Sequence, residues 1–296
     1  MPTIIKTILL GIIEGVTEWL PVSSTGHLIL FGELLRPDMS DAFMEMFNVV
    51  IQLGAILAVV VLFFKKLWPF HGKRGRNAAS QFARPAHGTA GRFQNFADSY
   101  VYMDRIILWL KILVSVLPAV IIGLPLDDWL DSHLYRPVPV AVMLILYGIL
   151  FILIENRNKT RKPRVRSLRQ ITWQDALLIG CFQCLALIPG TSRSGATILG
   201  GILIGLSRTC AAEYTFYLAI PTMAGASLLK LVKFGGSFSG METVVLLTGC
   251  VTAFIVSLFT IRFLMDYVRK HDFKPFAWYR IILGVVVLVV AAAGLL

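Results

Sequence analysis

The stretch Glu14-Gly15-Val16-Thr17-Glu18-Trp19-Leu20-Pro21-Val22-Ser23-Ser24-Thr25-Gly26-His27 interrupts an apolar run, 4–35, that would otherwise be long enough to cross a bilayer. Glu14 and Glu18 stand four apart, so a helix places both on one face, with Thr17 beside them. Pro21 ends that helix, and the Ser/Thr run that follows caps a second one. Each half is too short to span alone, so the stretch reads as a re-entrant helical hairpin. A carboxylate deep in a membrane costs about 2.5–3.5 kcal/mol even on lenient insertion scales. Two on one stripe point to a functional site; a buried pair satisfied by neighbouring helices is the plainer structural alternative.

The surrounding chain is that of a polytopic helical membrane protein. Of its 296 residues 56% are hydrophobic and 15% charged, and the mean hydropathy is +0.74, whereas a soluble domain carries about a quarter charged residues. Six spans are expected at 43–64, 105–125, 138–155, 211–231, 242–264 and 276–296. The first residues include acids within the apolar run and lack a small-residue cleavage site, so they read as mature protein rather than a removable signal. The net charge of +11 sits in loops. The segment 65–105 carries eight Lys or Arg and 156–172 carries seven with no acid, while 126–137 holds Asp127, Asp128 and Asp131. This is the pattern of cytoplasmic basic loops and argues against nucleic acid as a partner. Part of the first basic loop, 71–100, reads as a mobile insertion without chemistry. Four cysteines make no disulfide framework, and Cys181-x-x-Cys184 lies in an apolar segment where a redox role is not expected.

A second interrupted run, 173–207, contains Pro189-Gly190-Thr191-Ser192-Arg193-Ser194-Gly195. It aligns with the first break at an offset of 168, which also relates Glu45 to Glu213. The chain therefore divides into a first repeat at 1–155 (hairpin 4–35, three spans, basic loop 65–104), a basic linker at 156–172, and a second repeat at 173–296 (hairpin 173–207, three spans). Three crossings per unit put the two copies in opposite orientation, so both hairpin tips are expected to meet near the midplane. The fold class is thus all-α: two inverted-topology repeats with about six full transmembrane helices and two re-entrant hairpins.

Two helix N-termini, several hydroxyls and the planar guanidinium of Arg193 converging on one point make an anion site, most naturally for phosphate. Hydroxyls at such positions also serve as ordinary caps, and His27 could be a hydrogen-bonded core histidine. Its place beside the carboxylates favours a catalytic role. Two carboxylates next to a polyanionic ligand imply a divalent cation, Mg²⁺ above all, a protonated Glu, or both. Glu45, Asn48, Gln52, Gln183 and Glu213 are supporting polar residues. Gly201 and Gly205 form a G-x-x-x-G, read first as helix packing and second as a homodimer contact.

At these residues the sequence resembles a known family, the bacterial undecaprenyl-diphosphate phosphatases linked to bacitracin resistance. Glu14 to His27 is similar to the family's E-x-x-x-E motif and the Ser-Ser-Thr-Gly-His segment after it. Pro189 to Thr197 is similar to its P-G-x-S-R-S-x-x-T motif, and Ala211-Ala212-Glu213-Tyr214-Thr215-Phe216 also fits. The resemblance implies removal of the terminal phosphate from undecaprenyl diphosphate in the inner membrane, at a site open to the periplasm, with the monophosphate reused for peptidoglycan synthesis. The basic loop around 71–100 departs from the family.

Expected catalytic residues are Glu14, Glu18, Ser24, His27 and Arg193. Ser23, Thr25, Gly26, Gly190, Thr191, Ser192, Ser194 and Thr197 are expected to bind substrate, and Glu14 and Glu18 to hold the metal. Ser24, His27 or a water remains open as the nucleophile. The competing reading is a lipid transporter or flippase, since inverted repeats with broken helices are a transporter signature. An intramembrane Ser–His protease suits the Glu pair and arginine less well.

Overall fold

The computed structural model describes residues 2–70, 101–235 and 238–295; the basic insertion expected at 71–100 lies outside them. Among the described residues eleven α-helices follow in order: α1 (Thr3–Thr17), α2 (Ser24–Leu35), α3 (Asp41–Val50), α4 (Gln52–Leu67), α5 (Met103–Leu134), α6 (Pro137–Asn158), α7 (Trp173–Cys184), α8 (Arg193–Leu203), α9 (Arg208–Phe234), α10 (Gly240–Val268) and α11 (Lys274–Ala292). Six stretches are long and apolar enough to cross a membrane: Asp41–Leu67, Met103–Leu126, Pro137–Asn158, Arg208–Phe234, Gly240–Val268 and Lys274–Ala292. Their outward side chains, among them Leu57, Val61, Ile121, Leu247, Phe259 and Val289, are exposed. Such an apolar belt is stable only against lipid. Two expected spans differ in detail. The first is two helices, α3 and α4, that meet at Ile51. The second continues through Pro118 and Pro125 to Leu134.

Both interrupted runs return to the side from which they enter. In the first, Lys6 Nζ donates to the Arg36 carbonyl at 2.8 Å, tying entry to exit. In the second, the amide of Arg164 donates to the Gly205 carbonyl at 2.8 Å while its guanidinium pairs with Asp175. Asp175 in turn forms a capping box with Thr172 at the start of α7.

The two halves are related antiparallel, and reciprocal contacts show it. Glu45, early in the first span, pairs with Lys230 near the end of α9 at 2.5 Å. Glu213, early in α9, pairs with Lys66 at the end of α4 at 2.6 Å. The last spans of each half also run opposite ways: Gly148 packs on the Ala277 carbonyl and Gly284 on the Ala141 carbonyl, each leaving 2.8 Å for a Cβ. Each hairpin's first helix packs instead on the middle span of the other half. Gly11 meets the Gly249 carbonyl and Gly15 the Ala253 carbonyl, which seats α1 on α10; Gly180 meets the Ser115 carbonyl, which seats α7 on α5. In each of these contacts a Cβ would fall within 3.0 Å of backbone, so only glycine allows the approach. The halves are interleaved, not adjacent.

Gly201 and Gly205 do not form a helical G-x-x-x-G. Helix α8 stops at Leu203, Gly205 turns the chain at φ +103°, and Gly201 packs on Ala211 of the same chain.

Candidate active site at the crossed hairpin tips

The first break spans Glu18 to Ser23, and Ser23 adopts φ 72°; the second spans Ile188 to Ser192, and Ser192 adopts φ 70°. Among the described residues these are the two non-glycine positions with positive φ. Left-handed backbone costs an L-residue roughly 1–2 kcal/mol, and it serves here to restart a helix sharply. The register of the repeat is thereby corrected. The prolines align at 168, but the serine caps and the helix starts align at 169, because the second break has one more residue between its proline and its cap. Gly190 (φ +91°) takes up the extra residue, and it sits where a Cβ would be 2.5 Å from the Val140 carbonyl.

The tips are stitched together. Arg193 Nη2 donates to Glu18 Oε1 at 2.7 Å, and its Nη1 donates to the Thr215 carbonyl at 2.9 Å. Ser194 Oγ donates to the Glu18 carbonyl at 2.9 Å. Arg280, fully buried in α11, donates to the Pro21 carbonyl at 3.2 Å and to the Gly190 and Thr191 carbonyls at 2.9 Å each. One guanidinium thus fixes both breaks. Sequence reasoning missed Arg280, although an arginine within the apolar run 276–296 carries the same insertion cost that drew notice to Glu14.

Between the tips lies a cavity of about 240 Å³ whose wall includes Glu18, Ser24, Thr25, Gly190, Ser192 and Arg193, with Gln52, Gln183 and Thr222 adding amide and hydroxyl groups. Ser24 is the first residue of α2. Ser23 makes no side-chain cap bond, so the first N–H groups of α2 remain available to a ligand. At α8 the cap is made: Gly195 N–H donates to Ser192 Oγ at 3.1 Å.

Other expected site residues stand off this wall. Glu14 is wholly buried in α1, one turn before Glu18, and neither carboxylate oxygen has a hydrogen-bond partner. Two bare oxygens on a buried carboxylate, one turn from Glu18, make this pair the carboxylates that would hold a divalent cation such as Mg²⁺. His27 donates through Nδ1 to the Ser23 carbonyl at 2.8 Å when its other nitrogen, Nε2, accepts from the Tyr279 hydroxyl at 2.7 Å. It braces the strained serine and reaches across to α11. Tyr279, like Arg280, was not singled out from the sequence. Gly26 lies under Leu144, where a Cβ would come within 2.9 Å. Thr197 Oγ1 donates to the Arg193 carbonyl and accepts from Thr215 Oγ1, both at 2.9 Å, so it supports the helix that carries Arg193. Thr191 is buried with its hydroxyl unpartnered.

The fold and the site together define a polytopic membrane protein with an arginine–carboxylate pair and paired helix starts at crossed re-entrant tips. The family described as "Bacitracin resistance protein BacA" matches residues 7–286, and the chain belongs to it. An undecaprenyl-diphosphatase of Enterococcus faecalis is 53% identical over 98% of this chain and 97% of its own length. One of Desulfitobacterium hafniense is 56% identical over 98% and 96%, and one of Lachnoclostridium phytofermentans 55% over 96% and 95%.

Proposed function

We propose that this chain is an integral membrane phosphatase that hydrolyses undecaprenyl diphosphate to undecaprenyl phosphate and inorganic phosphate, the reaction that recycles the carrier lipid for cell-wall synthesis and underlies bacitracin resistance. The observation that carries the reading is the cavity in which Arg193, already oriented by Glu18, faces Ser24 at an uncapped helix start. It sits in a chain whose near-full-length relatives bear that enzyme name.

The chemistry follows from the placement. Arg193 and the free N–H groups of α2 hold the terminal phosphate and take up charge as it transfers. Ser24 Oγ attacks the terminal phosphorus, its proton passing to Glu18. The bond to the bridging oxygen breaks, and undecaprenyl phosphate leaves. Water then cleaves the phosphoserine, and the free enzyme returns with inorganic phosphate released. His27 keeps the Ser23–Ser24 turn in shape through the Ser23 carbonyl. Glu14 and Glu18 are the residues that would hold Mg²⁺, and the ion would supply positive charge to offset the diphosphate. With the basic segments at one end, the positive-inside rule puts that end in the cytoplasm of the inner membrane and the first hairpin's entry on the periplasmic face.

The test is phosphate release by detergent-purified protein, with Mg²⁺ or with EDTA, beside Glu18→Ala and Arg193→Ala, together with acid-quench trapping of the phosphoenzyme. Release that vanishes in both variants, with an acid-stable adduct on Ser24, is expected. An acid-labile adduct on histidine would overturn Ser24 as nucleophile. No release from folded protein would leave lipid transport, which the antiparallel halves also suit, as the reading to pursue.

A further inference from the structure

A second cavity, of about 580 Å³, opens between α4, α5 and α9 at the end of the molecule that carries the basic segments, and it shares no lining residue with the cavity at the tips. Lys66, Arg105, Lys111, Arg166 and Arg169 face it, against Asp104 and Glu213. Both carboxylates are already taken: Glu213 by Lys66 at 2.6 Å and by the Tyr217 hydroxyl at 2.7 Å, Asp104 by Arg169 at 3.1 Å. Among the described residues no carboxylate lies within ion-pair reach of Arg105, Lys111 or Arg166. Lys111 is nearly buried and spends a hydrogen bond on the Ile171 carbonyl at 2.6 Å. The carboxylate that acts on it, Asp175, is out of ion-pair reach and already paired with Arg164. An ammonium without a close counter-ion in such a place is costly, so the cavity favours an anion.

The depth identifies the kind of anion. Indole and phenol rings, which collect at the boundary between hydrocarbon and headgroups, surround the cations. Arg105 lies 3.9 Å from the Tyr102 ring centre and bonds the Trp68 carbonyl. Lys111 is 5.8 Å from the Trp173 ring, and Trp109 donates to the Leu67 carbonyl at 2.9 Å. Phe64 and Leu110 beside them are exposed and apolar, ready to lie along acyl chains. We propose that this cavity binds the phosphate headgroup of an anionic phospholipid, with Arg105, Lys111 and Arg166 as its cationic contacts. Basic recesses between helices at headgroup depth are suited to such lipids.

The test is native mass spectrometry of the full chain, delipidated in neutral detergent and titrated separately with phosphatidylglycerol, phosphatidylcholine and inorganic phosphate. Phosphatidylglycerol is expected to bind at least tenfold more tightly than phosphatidylcholine. Each cation removed should weaken it about fivefold, so Arg105→Gln with Arg166→Gln should lose roughly 25-fold for phosphatidylglycerol and much less for phosphatidylcholine, whose own ammonium already offsets its phosphate. The charge-preserving pair Arg105→Lys with Arg166→Lys should restore most of the binding, which separates a lost contact from a damaged fold. Equal binding of the two lipids, or an unchanged affinity in the Gln pair, would overturn the proposal. So would inorganic phosphate binding as tightly as the lipid, since the site would then serve a free anion.

Discussion

Arg193 and Arg280 are both guanidiniums at the hairpin tips, and their partners differ. Arg193 faces the cavity and a carboxylate, whereas Arg280, wholly buried, faces three backbone carbonyls. Arg193→Lys keeps a charge but loses the fork that can hold Glu18 and a phosphate together. Its kcat/KM is expected to fall by about 10²–10³, with thermal stability close to wild type. Arg280→Met strips donors from buried carbonyls at about 1–3 kcal/mol each, so Tm and kcat should fall together. A variant that loses turnover at unchanged Tm would show Arg280 to be more than a clasp. Ser23 holds φ 72° with a buried hydroxyl that has no partner. Ser23→Gly should therefore raise the unfolding free energy by roughly 1 kcal/mol, and a drop in Tm would mean that the hydroxyl is satisfied by something else. At this scale the sequence showed the acids, the hydroxyls and Arg193, because each is conspicuous in an apolar run. It did not show that His27 would be engaged on both ring nitrogens, since its partner Tyr279 lies 252 residues away in a helix that reads as an ordinary span.

The helices owe their neighbours to glycine more than to any polar contact. Gly180 lets α7 press on Ser115, where a Cβ would be 2.5 Å from the carbonyl oxygen. Gly180→Leu should push the second hairpin off α5 and abolish activity along with the thermal transition, while Gly225→Leu, which meets open space, should leave both intact. The reciprocal ion pairs count for less. Lys66 is 60% exposed and Glu213 12%, and pairs of this kind contribute about 0.2–1 kcal/mol. Lys66→Met should cost no more than that in denaturant titration, and a larger loss would point to a role in the adjoining cavity. Both breaks and all six spans were legible as interruptions or runs of hydropathy. The pairing of α1 with α10 and of α7 with α5 was not, because apolar surfaces do not name their partners. Spacing held one clue: Gly11 and Gly15 form the small-xxx-small face that seats α1, whereas Gly201 and Gly205, with the same spacing, straddle a helix end.

Across the whole molecule the antiparallel relation of the halves places Arg36 and Asp41 at one end, and Lys162, Arg208 and Glu155 at the other. In a cysteine-free background, Asp38→Cys should react with a membrane-impermeant thiol reagent in intact cells, and Lys162→Cys only after permeabilisation. The reverse pattern would invert the orientation drawn from the basic segments. An odd number of crossings per repeat was enough to expect opposed halves. That they interlock, each lending its first hairpin helix to the other, depends on contacts far apart in the chain that no count of spans contains.

The clasp made by Arg280 binds main-chain oxygens, which every residue type supplies. Pro21 and Thr191 could therefore drift in identity without loosening it, so long as the turns keep their shape. Gly190 could not, because its carbonyl is aimed by a backbone that a side chain would block. A deep mutational scan of the two breaks should accordingly find tolerance graded by conformation rather than by chemistry at these three positions, beside near-complete intolerance at Arg280 itself.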